Sequence, residues 1–229
     1  MAEVGSGDIE VVERLLAARY SCRAFRPEPV PRETIARILK AAQRTASWCN
    51  SQPWQVAVFS GAATQRFAEA LYAAAGGGGE ASDFPFPREY RGKYLERRRE
   101  SGFQLYNALG IARGDRAAYG RQMRENFRFF GAPHVAIVTT DEALGVYGAV
   151  DCGAYVANFM LAARALGVAT VPQAALAGYS EMVRAHLGVG DDRRVVCGIS
   201  FGYADEAHPA NSYRTSRAAI DEAATFIDA

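Results

Sequence analysis

Three short segments, far apart in the chain, carry the side chains best suited to holding a small ligand. Arg19-Tyr20-Ser21-Cys22-Arg23 sets two guanidiniums on either side of a hydroxyl. Forked N–H donors with a hydroxyl between them suit a phosphate and a polyol chain. Basic residues closing a helix would equally complement its dipole, and the segment alone does not separate the two. Ala46-Ser47-Trp48-Cys49-Asn50-Ser51-Gln52-Pro53-Trp54 packs aromatic rings and amides into a turn. An amide donates and accepts side by side, as the edge of a heteroaromatic ring requires; a plain capping turn has the same composition. Arg214-Thr215-Ser216-Arg217 places two more guanidiniums in a polar tail, able to close over a phosphate or to stay solvated.

Other motifs lack the context their chemistry needs. Gly198-Ile199-Ser200-Phe201-Gly202 has the spelling of a nucleophile elbow, which requires a strand, a sharp turn and then a helix. Here a strand runs on into a loop, with Asp205 and His208 following almost at once, so no catalytic side chain is assigned. Gly76-x-Gly78-x-x-Ala81 follows an alanine-rich helix, not a strand, and reads as a flexible linker and not a dinucleotide fingerprint. The four cysteines and three histidines are scattered singly, without the spacing of a metal site, and no metal is expected. The basic run Arg88–Arg99 is diluted by Glu89, Glu96 and Glu100 and reads as a solvated helix face.

The elements that must position these segments follow from periodicity. Ile9, Val12 and Leu16 recur as on a helix, and Ile35, Ile38, Leu39 and Ala42 line one face of a second helix begun by Pro31. A strand over Trp54–Gly61 and a helix ending in the Gly76–Gly79 run come next. Residues from about 80 to 113 form an excursion: a flexible break, then two short helices carrying Tyr90, Tyr94, Phe103 and Tyr106. Residues 115–130 are helical again, and Ala132–Asp141 reads as a buried strand. The apolar run 146–166 contains Asp151 and Asn158, so a helix buried in protein is expected there, not a membrane span. Ala169–Leu176 and Arg193–Tyr203 complete the strands before an extended tail. With 229 residues, 49% hydrophobic and a net charge of +1, the chain suits one domain over 1–229 with no nucleic-acid or membrane partner. Its first residues carry neither a basic region nor an apolar stretch, so no secretory signal is expected, and the reduced thiols fit a cytoplasmic protein.

Taken together and in order, the Arg-x-Ser-x-Arg start, the Asn-x-Gln-Pro-Trp turn and the Gly-Tyr…His-Pro-Ala-Asn…Arg-Thr-x-Arg ending resemble the FMN-dependent nitroreductase family over nearly the whole chain. The resemblance implies an α+β fold, a central mixed but mostly antiparallel sheet flanked by helices, in an intertwined homodimer with FMN at the interface. It implies that Arg19, Tyr20, Ser21 and Arg23 hold the phosphate and ribityl chain, and that Arg214 and Arg217 close on the phosphate from the same subunit. Ser47, Trp48, Asn50 and Gln52 would border the flavin from the partner subunit. Pro172, Gln173, Ala174 and Ala175 would lie along the isoalloxazine, with a backbone N–H toward N5, where many relatives carry Glu-Gly in place of Ala174-Ala175. Arg128 is a further basic candidate, and the aromatics of the excursion would roof the acceptor pocket. The expected activity is NAD(P)H-dependent reduction of a nitroaromatic or quinone-like small aromatic acceptor by a ping-pong mechanism. Reductive dehalogenation, oxygen-dependent flavin processing and non-catalytic flavin binding are alternatives on the same fold.

Overall fold

A computed structural model describes residues 7–227. Helices α1 (Asp8–Ala18) and α2 (Arg32–Ala42) precede strand β1 (Gln55–Ser60) and helix α3 (Ala62–Gly77). Helices α4 (Lys93–Ala108) and α5 (Arg116–Arg124) lead to β2 (His134–Asp141), and the long helix α6 (Gly145–Ala165) follows. Then come β3 (Ala169–Gln173), α7 (Ser180–Leu187) and β4 (Arg193–Gly202). The four strands form one sheet in the order β1-β2-β4-β3, and every neighbouring pair is antiparallel. Among the described residues, parallel pairing is confined to isolated bridges, one of them Ser21 to Thr170.

The sheet is covered on both faces because its central strands are apolar on both. Along β2, Val135 and Ile137 join a core with Phe67, Leu71 and Val183, which α3 and α7 supply. Ala136 and Val138 point the other way, into a core with Ile35, Ile38, Tyr155 and Phe159 from α2 and α6. The alternation is the period-two rule of a strand buried on both sides. Gly198 and Gly202 belong to this packing: a Cβ at Gly198 would meet Leu176 at 2.4 Å, and one at Gly202 would meet Pro133 at 2.6 Å. Ser200 between them is fully buried in β4 and donates to Gln173 Oε1, so the elbow-like spelling serves close approach and offers no exposed nucleophile.

The structure alters several expectations in the excursion and beside it. The two short helices are one continuous α4, Lys93–Ala108, which runs through Gly102 without a break. The Gly-rich break is pinned at its far end: Ala81 exchanges backbone hydrogen bonds with Gly178 and Ser180, and Asp83 is tied to α7 and β4. The helical stretch 115–130 divides into α5 and a 3-10 segment, Glu125–Gly131, in which Phe129 and Phe130 adopt left-handed φ values of 56° and 53°. Strand β3 ends at Gln173, and Ala174–Gly178 turns away as a 3-10 helix.

Helix α6 is not buried on all sides. Gly148, Cys152, Tyr155, Val156, Phe159 and Ala163 enter the core, whereas Val146, Tyr147 and Val150 are exposed. The segment Glu142–Ala165 is long and apolar enough to cross a membrane by length and composition, but one face of it forms the core of this domain. Helix α1 buries none of its residues and leaves Ile9, Val11, Val12 and Leu16 in solvent.

Candidate functional site

The N-terminal arginine segment is shaped where α1 stops. Arg19 leaves the helix with an extended ψ of 133°, and the chain then runs beside β3, where the Cys22 N–H donates to Thr170 O at 3.0 Å. Cys22 is fully buried and turns inward, which leaves Ser21 and Arg23 half-buried at the surface. The Arg23 N–H donates to Asn211 Oδ1 at 2.8 Å, and its guanidinium reaches Ser21 O at 3.2 Å and Tyr213 Oη at 3.1 Å.

The C-terminal arginines arrive at the same place from β4. A short 3-10 turn, Pro209–Asn211, starts at His208, whose Nδ1 accepts the Ala210 N–H at 3.2 Å. Arg214 then donates to Asn211 O at 2.8 Å and lies 3.6 Å over the Tyr20 ring. Arg217 curls onto the Thr215 and Ser216 carbonyls. Arg19, Ser21, Arg23, Arg214 and Arg217, walled by Tyr20 and Tyr213, surround a cavity of about 330 Å³.

None of these four arginines forms an ion pair with a carboxylate among the described residues. Burial and the neighbouring Arg217 charge lower the pKa of Arg19. Like charges gathered around one cavity repel each other unless an anion sits among them. Forked donors from both ends of the chain, with one hydroxyl, match a phosphate group.

The Ser47–Gln52 turn is built from unusual backbone. Cys49, Asn50 and Gln52 have φ of 51°, 55° and 48°, in the left-handed region that side chains rarely enter. Local hydrogen bonds hold them there. The Gln52 N–H donates to Ser47 Oγ at 2.9 Å, the Trp48 N–H to Asp151 Oδ2 at 3.1 Å, and Gln43 links Gln52 to the Trp54 indole. Trp48 stands exposed, edge-on to Tyr147 at 4.5 Å. These residues do not line the arginine cavity. Arg19 touches Met160 of α6, nine positions beyond Asp151 on the same helix, which is about 13 Å at the rise of an α-helix. Within one chain, the ring-edge turn and the arginines stand apart.

Strand β3 carries the remaining segment away from the arginines. Ser21 is in register with Thr170, and Ala174 lies four residues further, about 13 Å along the strand. Pro172 is half-buried, while Gln173 is buried, donating to Asn126 O at 2.9 Å and accepting from Ser200. Ala174 is exposed and Ala175 half-buried. As the first residues of a 3-10 helix, their N–H groups have no acceptor within it. Arg128 stands elsewhere: it pairs with Glu125 at 3.4 Å, lies 4.2 Å over Tyr72, and lines a different, mostly apolar cavity.

Several members of the site had no role assigned from sequence. Asn211 and Tyr213 fix the arginines, and Ser101 of α4 lines the cavity. Asn211 stands in the His-Pro-Ala-Asn signature, which located it without revealing its function. Asn126 and Ser200 orient Gln173; Asn126 carries no local signal, and Ser200 stands in the elbow-like spelling, which did not reveal this role.

Known proteins resemble this chain over nearly its whole length. A family model described as the nitroreductase family matches residues 16–203. The chain is 43% identical over 219 residues to nitroreductase NfnB of Mycolicibacterium smegmatis, covering 95% of this chain and 93% of that protein. It is 34% identical over 205 residues to a 4-nitrobenzoate reductase of Pseudomonas putida, covering 90% of each. The crystal structure of the FMN-dependent nitroreductase NfnB from Mycobacterium smegmatis in complex with NADPH is similar at a TM-score of 0.92 and 42% identity, over 96% of this chain and 99% of that one.

Proposed function

The chain belongs to the nitroreductase family, and on that premise we propose that it is an FMN-dependent oxidoreductase using NAD(P)H to reduce nitroaromatic or quinone-like small aromatic acceptors. The observation that carries this reading is the cavity of four arginines and a serine hydroxyl with no neutralising carboxylate among the described residues. Arg19, Arg23, Arg214 and Arg217 would hold the phosphate, and Ser21 the start of the ribityl chain. The N–H groups of Ala174 and Ala175, at the end of β3, would serve the ring end of the cofactor. Bound there, FMN supplies two-electron transfer between NAD(P)H and the acceptor.

The residues of this chain bind and orient, and no side chain serves as a covalent nucleophile. The guanidiniums would anchor the anion end by charge-assisted hydrogen bonds. The N–H donors of the 3-10 turn, held by the fold, would polarise the ring edge without having to reorganise. Donor and acceptor would take turns at one place, giving ping-pong kinetics. The purified protein is expected to be yellow, to release FMN on boiling, and to lose its visible absorbance on addition of NADPH or NADH. A folded protein that cannot take up FMN, or whose flavin band ignores both nucleotides, overturns the assignment.

The ring-edge turn would come from the partner of a homodimer. The exposed apolar residues of α1 and the first half of α6 support that arrangement, since Ile9, Val11, Val12 and Leu16 of α1 and Val146, Tyr147 and Val150 of α6 lie without cover in one chain. Trp48 and Tyr147 lie on the same exposed face of the α6 region. Sedimentation through a dilution series is expected to show flavin loss in step with dissociation. A monomer that keeps its FMN argues against a site shared between subunits. We read residues 1–229 as one domain, with the segment at about 80–113 an excursion from it. The four cysteines are unpaired, which suits a reducing compartment, and we place the protein in the cytoplasm.

A further inference from the structure

We propose that Asn211 is the positioning residue that assembles the phosphate end of the site, and so sets the preference for a phosphorylated flavin over the bare ring and ribityl chain. The inference rests on the FMN reading above. The arginines come in two pairs separated by nearly the whole chain, and one buried amide joins them. Asn211 is 4% exposed. Its Oδ1 accepts the Arg23 N–H at 2.8 Å, while its Nδ2 donates to Ala24 O at 2.9 Å and to Asp205 O at 2.8 Å. Its own carbonyl accepts from Arg214 Nη1 at 2.8 Å. One residue therefore fixes the backbone that carries Arg23 and the guanidinium of Arg214.

The polarity of these partners demands an amide. Each is a main-chain group of fixed character, one N–H and two C=O, so the site needs one acceptor and two donors on a short side chain. Aspartate has the shape but no donor; it would face two carbonyl oxygens with a charge and set a carboxylate beside the cations. Leucine would remove all three contacts and leave the Arg23 N–H without its acceptor, while Ala24 O would keep the Asp205 N–H and Asp205 O the His208 N–H. The clasp is supported from both sides, by Arg26 N–H to Tyr203 O at 2.8 Å and by Asp205 N–H to Ala24 O at 3.0 Å. Loss of the amide should therefore loosen the arginines without unravelling the sheet. The residue touches no part of the ring region at Ala174–Ala175, so its influence is confined to the phosphate end.

The test compares two ligands that differ only in the phosphate. Flavin-free protein is titrated with FMN and with riboflavin, following quenching of flavin fluorescence, for the parent, Asn211→Asp, Asn211→Ala and the milder Asn211→Ser. Far-UV spectra and thermal midpoints of the flavin-free proteins identify which variants are folded. The parent is expected to prefer FMN. In Asn211→Asp and Asn211→Ala that preference is expected to shrink by roughly tenfold to a hundredfold, the worth of one or two charge-assisted contacts, with riboflavin affinity held. Asn211→Ser, which keeps one donor and one acceptor and adds no charge, is expected to fall between and to remain foldable. If affinities for both ligands fall together, Asn211 is merely structural and the proposal is wrong. An unchanged FMN-to-riboflavin ratio in the folded variants overturns it equally. A parent that does not distinguish the two ligands refutes the phosphate reading of the arginine cavity itself, a separate and earlier failure.

Discussion

Ala174→Pro is expected to leave FMN bound while slowing its reduction by NAD(P)H on the order of a hundredfold, the effect of removing one preorganised donor. Proline deletes the N–H and little else at this position. Ala174 opens the 3-10 helix Ala174–Gly178, where the first N–H has no intrahelical acceptor and proline is well tolerated. The preceding Gln173 is already extended, with φ −132° and ψ 97°, as a residue before proline must be. The arginine cavity lies about four strand residues away, so cofactor affinity should hold. Ala175→Pro tests the neighbouring donor but forces Ala174 out of its helical conformation, which makes it the less clean probe. Ala174→Ser keeps the N–H and should match the parent. Flavin content and thermal midpoint of each preparation, with stopped-flow reduction, decide the matter. A flavin-loaded proline variant at both positions that reduces as fast as the parent removes the N–H of this turn from the mechanism.

Asp83→Ala is expected to destabilise the fold by about 3–5 kcal/mol, the cost of stripping one partner from a buried ion pair. The Asp83 side chain is only 5% exposed. It accepts from Arg184 Nη1 on both oxygens, at 2.5 and 2.6 Å, and from the Val195 N–H at 2.8 Å. Removing it leaves the buried Arg184 guanidinium with only the exposed Asp191 carboxylate, 3.3 Å from Nε, and a strand N–H unpaired. Burial by itself pushes the Asp83 carboxyl up, but the Val195 N–H and Arg184 outweigh it and hold the pKa below the usual value. The sign for pH follows. A depressed carboxylate contributes stability that is fully present above the ordinary aspartate pKa, near 3.9, and is lost as pH falls through that value toward the folded one. Denaturant midpoints of the parent should therefore drop on acidification below about pH 4, and Asp83→Asn should lack that component. An Asp83→Ala midpoint equivalent to less than about 0.5 kcal/mol of change, the range of an indifferent surface site, would mean that the pair carries no weight.

Those two residues mark how far local reading reaches. The face of α2 was legible because Ile35 and Ile38 repeat at helical spacing, and β2 because an unbroken apolar run between turns must be a strand covered on both sides. The Arg-x-Ser-x-Arg, Asn-x-Gln-Pro-Trp and Arg-Thr-x-Arg segments were legible as binding chemistry, since donor type and order are properties of the chain itself. Their grouping was not. Arg23 and Arg214 meet because β3 pairs beside Ser21 and because Asn211 bridges two distant turns, and neither contact leaves a periodic trace. The flexible reading of the Gly76–Gly79 region failed at Asp83 for a similar reason: its partners Arg184 and Val195 lie about a hundred residues further on. Arg128, an isolated basic residue in the sequence, is engaged by Glu125 and Tyr72 instead of joining the cavity. Apart from Asp151 and Asn158, helix α6 reads as apolar nearly all round, yet only the packed structure divides it into a face spent on the core and a face left open. Propensity and pattern act over a few residues, so the sequence by itself determined the elements and the chemistry on offer. Which elements met, and which charges were left unneutralised around a cavity, was decided by long-range packing and by hydrogen bonds between groups that only the fold brings together.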